Sequence, residues 1–435
     1  MEEPELNPKR AAGTAILLWL GLVLTVLSLQ ARPDENEKLS AGGYFKNFSI
    51  LLALPAYESE GTEINEPDLG AVNNRLRLKL DYRPFDFLSL DFAYDVSARI
   101  QDARLFEDDA FLFLLPPSEY RFSDFRQRLY PGPGDPVSSF GLFHNLDRLS
   151  LTLKTGHADL IVGRQAVAWG SARVINPTDV LAPFAFNELD QEDRRGIDAV
   201  RLRVSLGAMD ELDMGFVAGR DFRSDRNAFF LRGKTYFQKT DVSAVLIAFR
   251  EHLLLGLDIA RAIGGAGFWL ETAYVIPNQF RQEEVPEESG YFRASTGLDY
   301  TFNSKTYGFV EYHFNSAGES DPQKYNGLFG QTAYRDGSVY LLGKHYLNVG
   351  STYQLTPLLS LTGLVILNLS DWSLVVSPTL EYNIAENIYL AAGAYLGWGK
   401  NPALAPDPLT SGPLLFRSEF GTYPDMFFTS FRVYF

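Results

Sequence analysis

From residue 38 onward the chain alternates apolar and polar residues in segments of about ten, and no later stretch is apolar for long enough to cross a membrane as a helix. In Arg75–Asp81 the residues Leu76, Leu78 and Leu80 share one face, and Arg75, Arg77, Lys79 and Asp81 the other. Leu149, Leu151 and Leu153 alternate with Arg148, Ser150, Thr152 and Lys154. Near the end, Leu390, Ala392, Ala394, Leu396 and Trp398 oppose Tyr389, Ala391, Gly393, Tyr395 and Gly397. Successive side chains of a strand point to opposite faces, so a period of two is a strand period. The pattern predicts about eighteen strands, sixteen at the least. They lie near residues 40–53, 73–83, 86–98, 146–155, 157–165, 197–206, 210–220, 228–237, 239–249, 252–263, 267–275, 290–302, 304–316, 339–354, 357–369, 372–384, 387–399 and 424–435.

Half-apolar strands suit a soluble sandwich as well as a membrane barrel, and the loops separate the two. Tight turns such as Asn303-Ser304 and Ala385-Glu386 alternate with long connections at 54–72, 99–145, 166–196, 276–289, 317–338 and 400–423. Short turns at one rim, long loops at the other and an even strand count are the organisation of an up-and-down transmembrane barrel. A sandwich has no reason to sort its loops. Mean hydropathy is −0.10 although 46% of residues are hydrophobic, as expected where lipid and lumen faces alternate. The 33 Phe and 22 Tyr suit aromatic belts at two interfaces. The chain ends on an alternating row, Phe427, Thr429, Phe431, Val433 and Phe435, which resembles the assembly signal of bacterial outer-membrane proteins. The barrel assembly machinery is the partner that this resemblance implies.

The expected organisation is a signal peptide over 1–31, a periplasmic segment over 32–39 and an outer-membrane barrel over 40–435, with periplasmic turns and extracellular loops. Lys9 and Arg10, the apolar Ala11–Leu29 and the small residues before Ala31 support cleavage, while the length of the apolar run leaves a retained anchor open. The absence of cysteine removes disulfides and thiol chemistry. A net charge of −15 argues against nucleic acid, and five scattered histidines have no metal-ligand spacing. No cofactor is expected. Neither a nucleophile elbow nor a phosphate loop occurs, so an enzyme is not expected, although Glu311 and His313 on one strand face keep a barrel-embedded hydrolase in view.

If leucine faces lipid, the opposite row lines the lumen and is charged: Arg75, Arg77, Lys79, Asp95, Arg148, Asp198, Arg201, Arg203, Asp299 and Glu311 among others. Such a row reads as a selectivity-setting passage or as charges pairing off in a plugged barrel. The basic rows Arg75, Arg77, Lys79 and Arg201, Arg203 lead to an expectation of weak anion preference. The most distinctive stretch runs from Gly163 to Phe184 and breaks the alternation at Arg164. Folded inward, it would set Arg164, Gln165, Trp169, Arg173, Asn176 and Asp179 in a constriction. Arg173 would pair with Asp179 or with a wall carboxylate such as Asp198, with Thr178 or Asp179 as a helix cap; folded outward, the stretch would cap the barrel. The 99–145 loop, with the apolar Phe111–Leu115, is a second candidate plug.

Gly163, Arg164, Gln165, Trp169, Gly170, Asn176, Pro177, Thr178 and Asp179 together resemble the strand-to-loop junction of a group of outer-membrane porin-like barrels, and the Gly-Arg-Gln strand end is similar to that of alginate-export-type barrels. The resemblance implies a barrel in outer-membrane lipid and says little about substrate; the charged lumen row is what points to a channel for small hydrophilic solutes. A sleeve for a secreted or periplasmic partner is the alternative. With no native cysteine, single cysteines at Glu60, Glu319 and Pro406 are expected to react with an impermeant thiol reagent on intact cells; reaction only after lysis would reverse the topology.

Overall fold

The structure, a computed structural model, describes residues 38–59, 61–107, 120–123, 128–132, 135, 139–184, 188–281, 288–335, 339–404 and 414–435. The expected signal peptide and Phe111–Leu115 lie outside the described residues. Eighteen antiparallel strands form the barrel. In chain order they are β1 (Leu39–Ala53), β2 (Leu69–Phe85), β3 (Leu88–Gln101), β4 (Phe140–Lys154), β5 (Ala158–Gln165) and β6 (Ile197–Ser205). Then come β7 (Glu211–Ala218), β8 (Ala228–Phe237), β9 (Thr240–Phe249), β10 (His252–Ile263), β11 (Ala266–Ile276) and β12 (Tyr291–Asn303). The last six are β13 (Thr306–Asn315), β14 (His345–Thr356), β15 (Leu359–Asn368), β16 (Ser373–Ala385), β17 (Ile388–Trp398) and β18 (Asp425–Tyr434).

Each strand pairs with its sequence neighbours, and β1 also pairs with β18 from Tyr44↔Tyr434 to Ala53↔Asp425. The terminal residue completes this seam, because Gly43 N donates to Phe435 O at 2.8 Å and Phe435 N to Gly43 O at 3.1 Å. No barrel strand is left with an open edge, the condition for a sheet in lipid. All eighteen expected strands are present, and two differ most at their starts. β4 begins at Phe140 rather than near 146, because pairing with β3 jumps from Ala93↔Arg148 to Tyr94↔Leu146. The skipped Asp147 is a bulge that interrupts the period-two signal. β14 begins at His345 rather than 339, so Lys344 precedes the strand and Leu341 and Leu342 are buried in the loop before it.

The outward rows carry exposed apolar residues, among them Leu78, Leu151, Val200, Leu231, Leu246 and Leu255. Exposed rings flank them, with Phe85, Phe87, Phe237 and Phe302 beside the short turns and Phe229, Tyr274 and Phe292 toward the long loops. This is the apolar band between aromatic girdles of a membrane barrel. The inward rows depart from expectation. Toward the long loops, β7 to β11 turn the buried Val217, Phe230, Ile247, Leu254 and Val275 inside. Val167, Val180 and Leu181 of the 166–196 segment and Tyr325, Leu328 and Tyr334 of the 316–344 loop pack on them. Part of the interior is therefore an apolar core built with the chain's own loops, and the charged inner face is confined to the remainder.

At the short-turn rim, the two-residue turn after β8 places Gln238 at φ 49° and Lys239 at φ 62°. A left-handed pair matches strand twist in a tight hairpin, but a non-glycine residue there costs about 1–2 kcal/mol. Lys239→Gly is expected to raise the thermal unfolding midpoint of the detergent-folded barrel, read from the heat-dependent mobility shift on a gel; an unchanged or lower midpoint would contradict that account.

Candidate functional site

The 166–196 segment leaves β5 through Gly163, whose φ of +118° and close approach to Leu149 O exclude a side chain. It contains no helix or strand among its described residues, so its backbone groups need other partners. Two inward carboxylates supply them. Glu271 of β11 accepts from Ser171 N and Ala172 N, each at 3.1 Å, and from Thr178 N at 2.9 Å and Thr178 Oγ1 at 2.7 Å. Glu311 of β13 accepts from Arg173 N at 2.6 Å, Val174 N at 3.3 Å and Ile175 N at 3.2 Å, and from Trp269 Nε1 and Asn348 Nδ2. Both side chains are fully buried. Burying a carboxylate costs several kcal/mol. Charge-assisted hydrogen bonds of about 1.5–3 kcal/mol each offset that cost when four or more converge on one group. Gly170, at φ +108°, lets the turn close: a methyl there would come within 2.5 Å of Asn176 Oδ1 and 2.6 Å of Glu271 Oε2.

The remaining contacts carry the segment across the interior. Trp169 Nε1 donates to Asp213 of β7 at 3.3 Å, and its ring meets Phe230 edge-on at 4.7 Å. Ser295 Oγ donates to Ile175 O at 2.6 Å. Arg173 pairs with Asp299 of β12 at 2.6 Å and lies over the Trp269 ring. Asp179 pairs with Arg194. Of the two expectations for Arg173 the wall carboxylate is the one found, as Asp299 rather than Asp198, while Asp179 pairs elsewhere, and Thr178 caps no helix because Glu271 takes its hydroxyl. Asn176 contributes its carbonyl to the turn, accepting from Asp179 N at 3.3 Å. On the way back, Asp190 meets Lys46 at 2.7 Å and Arg75 at 3.0 Å, Glu192 meets Lys46 at 2.6 Å, and Asp193 meets Lys79 at 3.3 Å.

The basic rows stand where the alternation put them, with partners already in place. Arg75 reaches Asp95 at 2.8 Å, and the buried Arg77 reaches Asp147 at 2.7 Å and Asp95 at 3.2 Å. Arg201 pairs with Asp213 and Arg203 with Glu211, each at 2.6 Å. Gln165 is buried against the wall, its amide on Ala199 O at 3.2 Å. Arg164 and Asp198 require a correction. They are cross-strand partners in the outward row of Val162 and Val200, joined at 2.7 Å and 2.8 Å and covered by the 122–123 backbone. The positive φ at Gly163 and the short strands there open a rim that the 120–123 segment fills. Glu311 and His313 are both buried, and Glu311 is occupied by the loop, so this pair is not accessible for acid–base work.

No protein-family model and no curated protein matches the sequence. Among solved structures, the chain is similar to a BenF-like porin from Pseudomonas fluorescens Pf-5, with TM-score 0.53 and 8% identity over 92% of this chain and 99% of that one. It is similar to OccAB2 of Acinetobacter baumannii, with TM-score 0.51 and 9% identity over 91% of this chain and 98% of that one. The outer membrane protein opdK from Pseudomonas aeruginosa matches with TM-score 0.50 and 8% identity over 91% and 98%. The fold is that of an outer-membrane porin barrel.

Two features of this porin-type barrel escaped the sequence reading. Glu271 sits in an inward row of Trp269, Ala273 and Val275, so its strand read as apolar. An isolated carboxylate in such a row is itself a signal of a buried partner. Glu419 is the other. Fully buried, it accepts from Leu342 N at 2.9 Å, Tyr346 Oη at 2.5 Å and Asn368 Nδ2 at 2.7 Å, joining the 316–344 and 399–424 loops to β14 and β15. Burial pushes its carboxyl up to about 7, with the nearby Asp371 adding to the rise against the opposing hydrogen bonds. A raised carboxyl favours the folded loops while protonated, so that contribution is complete at low pH and is lost as pH rises toward the folded value. Thermal stability is expected to fall between about pH 5 and about pH 8 and to do so less in Glu419→Gln; parallel profiles for the two proteins would remove Glu419 from the effect.

Proposed function

We propose that the protein is a channel of the bacterial outer membrane through which small hydrophilic solutes pass passively, narrowed by its own 166–196 segment. The carrying observation is the anchoring of that segment inside the barrel on Glu271 and Glu311, beside an inner face whose charged groups remain partly exposed. In this reading the barrel over 40–435 follows a cleaved signal peptide over 1–31 and a short periplasmic stretch over 32–39. Trp169, Arg173, Asn176 and Asp179 shape the constriction, and Arg75, Arg77, Lys79, Gln165, Arg201 and Arg203 belong to the wall around it. Arg164 and Asp198 hold the rim. The Gly163–Asp179 motif supports a porin-like origin, since its glycines and Thr178 are the residues that the inward turn requires. The alginate-export resemblance extends to the Gly-Arg-Gln strand end alone. The paired seam ending at Phe435 supports delivery by the barrel assembly machinery. A sleeve for a partner finds less support, because this chain's loops already pack the apolar part of the interior.

Deleting residues 170–190 is expected to raise single-channel conductance in planar bilayers and relax solute-size exclusion while the barrel still assembles. Unchanged conductance from an assembled variant would pass the narrowing role to the 102–139 loop.

A further inference from the structure

We infer that the passage admits polar solutes without net charge, neutral or zwitterionic, in preference to anions. The inference rests on the channel reading and concerns what the channel takes. A basic row in a channel wall ordinarily raises the local anion concentration, because the lumen field is set by nearby groups. Three cations gather here around one ring: Lys46 lies 4.1 Å, Lys79 5.1 Å and Arg75 5.7 Å from the Tyr44 centroid, and Arg77 is the cross-strand partner of Tyr44. Left open, they would make an anion site.

They are not open. The wall supplies Asp95 and Asp147, and the acidic end of the 166–196 segment supplies Asp190, Glu192 and Asp193. The segment that occupies the lumen therefore also carries the counter-charge of the basic row. Elsewhere on the inner face Arg201 is matched by Asp213, Arg203 by Glu211, Arg173 by Asp299, Lys234 by Asp241 and Arg432 by Glu381. The members that reach solvent carry both signs: Lys79 and Arg203 are each 41% exposed, Lys234 40% and Arg173 49%, against 41% for Glu192, 48% for Asp241 and 39% for Glu381. A close ion pair is a dipole, whose potential decays faster than that of a charge, and salt screens it beyond about 8 Å. A passing anion meets carboxylates beside the cations. A polyol or a zwitterion finds donors and acceptors side by side and exchanges hydrogen bonds with both members of a pair.

The purified full-length protein in a planar bilayer under a potassium chloride gradient is expected to give a reversal potential near zero. Proteoliposomes should swell faster in glucose than in gluconate, a solute of similar size that carries a negative charge. A reversal potential displaced far toward the chloride or the potassium limit, or gluconate entering as fast as glucose, overturns the inference. Asp190→Asn combined with Asp193→Asn leaves Lys79 without its carboxylate and takes one of two from Lys46 and from Arg75, so the reversal potential should shift toward chloride. An assembled, conducting double variant that shows no shift overturns it too. A protein that assembles but conducts nothing removes the channel reading and this inference with it, which tells that failure apart from a wrong selectivity.

Discussion

A sheet in hydrocarbon has no water to satisfy the polar groups of an edge strand, and every other feature of this molecule follows from that constraint. The pairing of β18 with β1, completed by the Gly43 and Phe435 backbones, removes the last edge. Closure at eighteen strands makes a cylinder too wide for its wall side chains to fill. The space left over is open to water and to loops, and among the described residues three long connections enter it. Their apolar residues meet the inward Val217, Phe230 and Ile247 on one side and Ile366 and Val375 on another.

A loop entering the interior brings unpaired backbone with it, and the wall answers with carboxylates. Glu271 and Glu311 are buried in the wall, and each accepts several backbone N–H groups of the entering 166–196 segment. Glu419, buried in a loop of its own, takes Leu342 N of a second loop together with the wall side chains Tyr346 and Asn368. A carboxylate can take several donors at once, so one residue satisfies a turn that a neutral acceptor could not. The cost is that losing one such group strands several N–H donors together, which makes these positions more sensitive than the exposed ion pairs around them.

The charged rows follow a different logic. Arg75, Arg77, Lys79, Arg201 and Arg203 are legible as one-sided rows on their strands, and a linear reading assigns them a common field. In space each lies beside a carboxylate, some from the adjacent strand and some from a segment more than a hundred positions away, as with Lys46 and Asp190. The sign of the lumen is therefore a property of the pairs.

The sequence by itself determined the strand count, the strand order and the sorting of loops, because period-two alternation and turn chemistry are local and repeat at every strand. It also marked the Gly163–Asp179 stretch as exceptional, through the break in alternation and the glycines. Local signals failed where a bulge shifted the phase at Asp147 and where the inner face turned apolar around Glu271, since a buried strand with apolar residues on both faces has no phase to read. Tertiary structure alone decided that Arg173 meets Asp299 rather than Asp179 or Asp198, that Arg164 and Asp198 face outward, and that the basic row is neutralised. Partners separated by a long irregular loop are chosen by the path of that loop across the barrel, and that path is set by two carboxylates on strands remote from it in sequence.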